Sequence, residues 1–194
     1  MNDNQKLTVS KSPVRRALAM VEFSTVSSGI KALDIVTKAA EVEILTAQTI
    51  CPGKYMILFC GSIGATKAAL EAARQVPGLI DEFLLGRPHL GIFAAISGTG
   101  ALPKKAALGL VETFSGAAAI KAADTAAKSS WVHLAEIRIA HGMCGKSTVM
   151  FTGEVAAVSA ALEAAKNEAA EKGMLIDTAL IPNPDKKMLA ALAK

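Results

Sequence analysis

The chain is poor in aromatic residues, which make up 4% of its 194 positions. Its core must therefore be built from Ala, Val, Ile and Leu, a composition that suits thin layers and close helix packing. Cysteine is scarce as well: three residues, an odd number that argues against a disulfide framework. Cys51 and Cys60 lie nine residues apart and Cys144 stands far down the chain. That spacing excludes a paired C-x-x-C zinc site and the clustered cysteines of a ferredoxin. The three histidines are scattered (His89, His133, His141), with no Ser or Asp placed to complete a catalytic triad. No apolar run reaches the ~18 residues of a membrane-spanning helix. The opening M-N-D-N-Q-K lacks the apolar segment of a secretory signal. The sequence thus reads as a soluble, intracellular protein with no membrane partner and no enzymatic constellation.

What is present begins with charge. The net charge is +4, and Lys6, Lys11, Arg15 and Arg16 against Asp3 place +3 of it in residues 1–16. This is a basic tail on a nearly neutral body. Nucleic-acid binding would call for a basic face with interleaved aromatics, so no nucleic-acid partner is expected.

The chain also repeats itself. A-L-A-M-V-E-F (Ala17–Phe23) returns as A-L-G-L-V-E-T (Ala107–Thr113), and Ile30–Lys38 returns as Ile120–Lys128, an offset of 90 residues. Further on the offset is 92: Pro52-Gly53-Lys54 meets Cys144-Gly145-Lys146, and the A-A-L-E-A-A of Ala68–Ala73 meets that of Ala160–Ala165. The chain divides into a flexible tail 1–16, a first unit 17–96, a linker 97–106 and a second unit 107–194. Each unit reads as strand, helix, two strands, a second alanine-rich helix, a last strand and a short terminal helix. Ser27 or Ser28 is the expected cap of the first helix, and Ser62 opens the second. The order β-α-β-β-α-β predicts an α/β, more strictly α+β, sandwich: two tandem ferredoxin-like domains, each an antiparallel sheet with helices on one face.

Several motifs then need weighing. Ala140–Ser147, A-H-G-M-C-G-K-S, matches a loose phosphate loop, but a β-rich run follows it where that chemistry needs a helix. A β-turn is the better reading. Glu22 and Glu112 recur in equivalent strands and read as structural. Cys60 ends an apolar strand as a small buried hydrophobe. In T-I-C-P-G-K, Pro52 and Gly53 are expected at the two central positions of a type II turn, with Cys51 first and accessible. Cys51 is then either a plain surface thiol or one ligand of a set completed by symmetry. Lys38 and Lys128 end equivalent helices, where cations favour the C-terminus; a subunit contact is the alternative.

The blocks I-K-A-L-D-I-V-T-K, I-C-P-G-K, G-S-I-G-A-T-K-A-A-L-E-A-A and G-R-P-H, with their second-copy counterparts, resemble the BMC domain of bacterial microcompartment shell proteins. They are most similar to the tandem-domain, PduT-like branch, over about residues 17–96 and 107–192. The resemblance implies a homotrimer forming a six-domain, pseudohexagonal disc that tiles with other BMC shell proteins in a microcompartment shell within the cytoplasm. It implies that Ile50, Cys51, Pro52 and Gly53, with Met143, Cys144 and Gly145, line a central opening. The same branch implies a [4Fe–4S] cluster there, held by Cys51 from each chain, with Cys144 as the rival donor. Electron transfer across the shell, with a redox enzyme or flavoprotein inside as partner, is the function this implies. A metal-free, metabolite-conducting pore is the alternative, and a small-ligand or nucleotide-binding ferredoxin-like regulator is the third reading. Lys38, Lys128 and Arg87 match the family's inter-trimer edge. Asn183-Pro184-Asp185 departs from the R-P-H pattern in the second copy, which puts that copy's edge contacts in question.

Overall fold

The sequence repeat is a repeat of structure. In the computed structural model the described residues are 17–100, 106–140 and 142–192. The basic tail, linker residues 101–105 and His141 therefore lie outside them. Copy one runs β1 (Ala17–Phe23), α1 (Val26–Ala39), β2 (Glu43–Ile50), β3 (Lys54–Gly61), α2 (Ile63–Ala73), β4 (Leu79–Leu85) and α3 (Gly91–Ile96). Copy two runs β5 (Ala107–Thr113), α4 (Gly116–Ser129), β6 (Val132–Ile139), β7 (Ser147–Gly153), α5 (Val155–Glu171), β8 (Leu175–Ile181) and α6 (Lys186–Leu192). Each copy forms a four-stranded antiparallel sheet, in the orders β2-β3-β1-β4 and β6-β7-β5-β8. Register shifts fall at matching places, Ile44/Thr46 and Leu134/Glu136. This is the tandem ferredoxin-like architecture that the element order predicts.

The helix starts follow side-chain chemistry. α1 is capped by Thr25, whose hydroxyl accepts the Ser28 N–H at 3.3 Å, and so begins earlier than a Ser27 or Ser28 cap would allow. Ser115 does the same for α4, accepting from Ala118 N–H at 3.2 Å. Ser62 caps α2 as expected. An uncapped first turn leaves N–H groups without partners, so each cap is worth about 1 kcal/mol.

Alternation along the strands sends side chains to two faces. In copy one, Ala19, Val21, Phe23, Ile57 and Phe59 share a core with α1 and α2 residues such as Ala32, Val36 and Leu70. The opposite face, with Leu18, Met20, Met56, Leu58 and Phe83, joins Ile120 and the alanines of copy two's α4 in one larger core. All seven residues of β1 are consequently buried. The copies meet head to tail: the free sheet face of the first covers the helical side of the second. Two glycines permit close packing, Gly116 between α4 and β6 within copy two and Gly100, after α3, against β6 of copy two. A Cβ on Gly116 would lie 2.5 Å from Ile139 Cγ2, and one on Gly100 would lie 1.9 Å from the Ala135 carbonyl oxygen.

Candidate functional site

The turn after β2 has a different register from the expected one. Gly53 N–H donates to Ile50 O at 3.0 Å, so Ile50 opens the turn, and Cys51 and Pro52 fill its centre across a cis peptide bond. A cis proline in third position belongs to a type VI turn, not type II. Gly53 has φ 83, as a residue leaving a tight turn requires of glycine. Cys51 is half-buried.

Copy two makes its turn differently. Its loop spans 140–146 where copy one has 51–53, and Ser147 Oγ accepts the Ala140 N–H at 3.1 Å to close the neck. Lys146 N–H then donates to Met143 O at 3.0 Å, which places Cys144 second in its turn, as Cys51 is in its own. Strand register pairs Cys51 with Met143, whereas turn hydrogen bonding pairs Cys51 with Cys144. Cys144 is exposed and has φ 52, an uncommon conformation for a side-chain-bearing residue. The loop runs between two strands, as the β-turn reading of Ala140–Ser147 requires and a phosphate loop does not.

The two turns touch. A Cβ on Gly145 would lie 3.1 Å from the Cys51 carbonyl oxygen, so the backbones of Gly145 and Cys51 lie side by side. An ion pair anchors the exit of each turn. Lys54 Nζ lies 3.0 Å from Glu22 Oε2, and Lys146 Nζ lies 3.4 Å from Glu112 Oε1. Glu22 is buried and its Oε1 has no hydrogen-bond partner, although the Gly116 amide is close by. Burial pushes its carboxyl above the usual value; Lys54 opposes this, and Asp81 adds to it.

A second cluster joins the copies. Asp124, buried on α4, accepts the His89 backbone N–H at 2.7 Å and Lys128 Nζ at 2.6 Å. His89 Nδ1 in turn accepts the Gly91 N–H at 3.2 Å. The Arg87-Pro88-His89 corner of copy one is thereby held against the Lys128 end of copy two. Lys38 pairs with Asp34 at 2.7 Å in the open, away from that corner. Arg87 is exposed and makes no ion pair among the described residues. The sequence reading missed Asp34 and Asp124. Their signal was present as an aspartate four residues before a lysine in both repeats.

The two contact surfaces used within the chain recur unused. Ile120 on α4 is fully buried, while its counterpart Ile30 on α1 is 54% exposed. Asp124 is buried, while Asp34 is exposed. Glu22 and Met20 are buried, while Glu112 and Leu110 remain half-exposed. Copy one therefore offers an open helical side, and copy two a sheet face that stays partly open around Leu110 and Glu112, beside the small buried cluster of Leu108, Ala135 and Met150.

Comparison with known proteins assigns this architecture. The BMC domain model matches residues 17–88 and again 107–184. The chain belongs to the BMC-domain family of bacterial microcompartment shell proteins. It is 37% identical over 175 residues to the bacterial microcompartment shell protein PduT of Citrobacter freundii, covering 89% of this chain and 95% of that one. It is 35% identical over 78 residues to the carboxysome shell protein CsoS1A of Hydrogenovibrio crunogenus, covering 38% of this chain and 81% of that one. A crystal structure of a microcompartments protein from Desulfitobacterium hafniense DCB superimposes with a TM-score of 0.85 at 41% identity, covering 90% of this chain and 98% of that one. The role of this BMC chain is structural, as a component of a microcompartment shell within the cytoplasm. Among the described residues, no helix is long and apolar enough to cross a membrane.

Proposed function

We propose that three chains close head to tail into a six-domain, pseudohexagonal disc, and that the disc is a shell tile with a metabolite-conducting opening at its centre. The observation that carries this is the pair of unused surfaces. Each is the counterpart of one already buried within the chain, so the same contact repeated between chains leaves neither open. Heterologous contacts of this kind generate rings when the rotation closes. Partner Asp185 N–H, the counterpart of His89 N–H, then meets Asp34, and Ile30 enters the neighbour's sheet face. The rim of Ile50, Cys51, Pro52, Gly53, Met143, Cys144 and Gly145 lines the opening. Lys38, Lys128 and Arg87 lie at the outer edge, where neighbouring tiles meet. Tryptophan in place of Cys51 is expected to narrow the opening and slow the entry of a small metabolite into assembled shells. Unchanged entry would contradict conduction.

A second reading concerns redox chemistry. Among the described residues of one chain, no three His, Cys, Asp or Glu side chains gather into a metal-holding group, so a single chain does not fit a [4Fe–4S] cluster. The donor set fits only when threefold symmetry is applied: one Cys51 thiolate per chain gives three soft donors, with Cys144 on the abutting turn as the alternative. A bound cluster would supply one-electron transfer across the shell to a redox enzyme or flavoprotein inside. Iron content and EPR after anaerobic purification separate the readings. Iron lost in Cys51→Ser supports the cluster, iron lost only in Cys144→Ser moves the site to that residue, and no iron in the wild type leaves the open pore.

A further inference from the structure

Trp131 stands between α4 and β6 with 96% of its surface exposed, the most exposed of the large apolar side chains among the described residues. Other large apolar side chains are also exposed, Leu90 at 76% and Phe114 at 55%, but none as fully as this indole. Beside it lies a cleft of about 1060 Å³ lined by residues that include Gly153, Glu154, Val155, Pro182, Pro184 and Asp185. Knob and cleft are immediate neighbours. Val132 pairs with Gly153, and a Cβ on Gly153 would lie 3.1 Å from the Trp131 carbonyl oxygen.

Ring closure covers neither Trp131 nor the Glu154–Val155 side of the cleft; only the Asp185 end of the cleft is used in the ring contact. Trp131 is exposed although copy two's helical side is already covered. Glu41, its counterpart in copy one, is exposed although copy one's sheet face is covered. Ile63, the counterpart of Val155, is 52% exposed in that same covered copy. Both contacts of the ring therefore leave this surface open.

We propose that Trp131 is the anchor of a contact between discs, and that its receptor is the same cleft on copy two of a second disc. A knob and a cleft side by side on one surface are self-complementary under a twofold axis, the requirement of an isologous contact. The chemistry matches as well. Val155 and Pro182, both exposed, offer apolar walls for the ring. Glu154, which caps α5 without a side-chain cap bond and has no ion pair among the described residues, offers an acceptor for the indole N–H. Copy one lacks this pairing: Glu41 replaces Trp131, Ser62 replaces Glu154, and Arg87 replaces Asn183. Copy-two surfaces thus meet copy-two surfaces. Two docked indoles and the walls they cover bury roughly 600–1,000 Å² in total, below the ~1,200 Å² of a stable pairwise complex. A pair of discs is accordingly short-lived, while a sheet in which each disc makes three such contacts persists.

The inference rests on the disc reading, and one property of the chain makes it testable apart from that reading. Trp131 is the only tryptophan, so its fluorescence reports this contact alone. Full-length wild-type protein is taken from dispersed trimers to assembled sheets, followed by electron microscopy and acrylamide quenching. The expected result is a blue-shifted emission and a several-fold fall in quenching on assembly. Trp131→Ala should keep the trimer and lose self-assembly, and Trp131→Phe should retain part of it. Val155→Glu should block the cleft and leave Trp131 quenchable. Sheets in which Trp131 stays as quenchable as in dispersed trimers, or a Trp131→Ala variant that assembles like wild type, would overturn the inference and leave the disc intact. Protection seen only after a different shell protein is added would replace the second copy as partner and overturn it too. A wild-type chain that forms no trimer would sink the disc reading and this inference together.

Discussion

Replacing Ile30 with alanine should separate assembly from folding. Ile30 is 54% exposed in one chain, and its counterpart Ile120 is fully buried in the core shared by the two copies. Complete burial of an isoleucine side chain is worth about 1.5–3 kcal/mol, so burying the exposed half contributes about 1 kcal/mol per interface. Three interfaces close the ring, which gives about 3 kcal/mol per trimer. That is a factor of about 150 in the three-chain equilibrium constant. The constant scales with the square of chain concentration, so the concentration at half-dissociation rises about twelvefold. Sedimentation equilibrium across a dilution series reads this directly, and thermal melting of the dissociated chain should be unchanged. Ile120→Ala is the control: it opens a cavity in the folded chain and should cost about 2–5 kcal/mol of folding stability. Overlapping sedimentation curves for wild type and Ile30→Ala would refute the reasoning, as would an Ile30→Ala chain that melts like Ile120→Ala.

Three further outcomes follow from the same geometry. Asp124→Ala leaves the His89 N–H and Lys128 without their acceptor and should cost about 1–3 kcal/mol in urea unfolding; Asp34→Ala should change folding by less than about 0.5 kcal/mol and weaken the trimer instead. Gly116→Ala forces a methyl group to 2.5 Å from Ile139 Cγ2 and should lower stability by about 1–3 kcal/mol, although alanine is the better helix former. Glu22→Gln removes a carboxyl whose proton affinity burial raises above the ordinary value of 4.5. The fold favours the protonated form of such an acid, so its contribution is present below 4.5 and lost as pH rises through the raised value. The unfolding midpoint of Glu22→Gln should therefore gain on wild type as pH climbs above 4.5, and a pH-independent difference would contradict this.

The double unit was readable because apolar alternation, helix length and cap residues recur at one offset, and local chemistry fixes each of them. Sheet order followed from the element order. The turn at Cys51 was misread because Pro-Gly has two solutions, and the choice depends on which carbonyl accepts the closing hydrogen bond. That hydrogen bond is invisible in a string of letters. The relation of Cys144 to Cys51 shifts by one residue for the same reason: strand register and turn register disagree in a loop of different length. Thr25 displaced Ser27 and Ser28 as a cap because three hydroxyls in four residues compete for one helix start. The Asp124–His89 contact and the exposure of Ile30 and Trp131 belong to surfaces, and pairing of surfaces depends on how the two copies face each other.

In the proposed ring, the contact between the two copies is used again between chains. Native mass spectrometry of the full chain tests it most directly. A dominant species at three times the 20.0 kDa chain mass is expected, reduced in Ile30→Ala and unaffected by Trp131→Ala. A monomer or a two-chain species at micromolar concentration, or a trimer indifferent to Ile30, would contradict it.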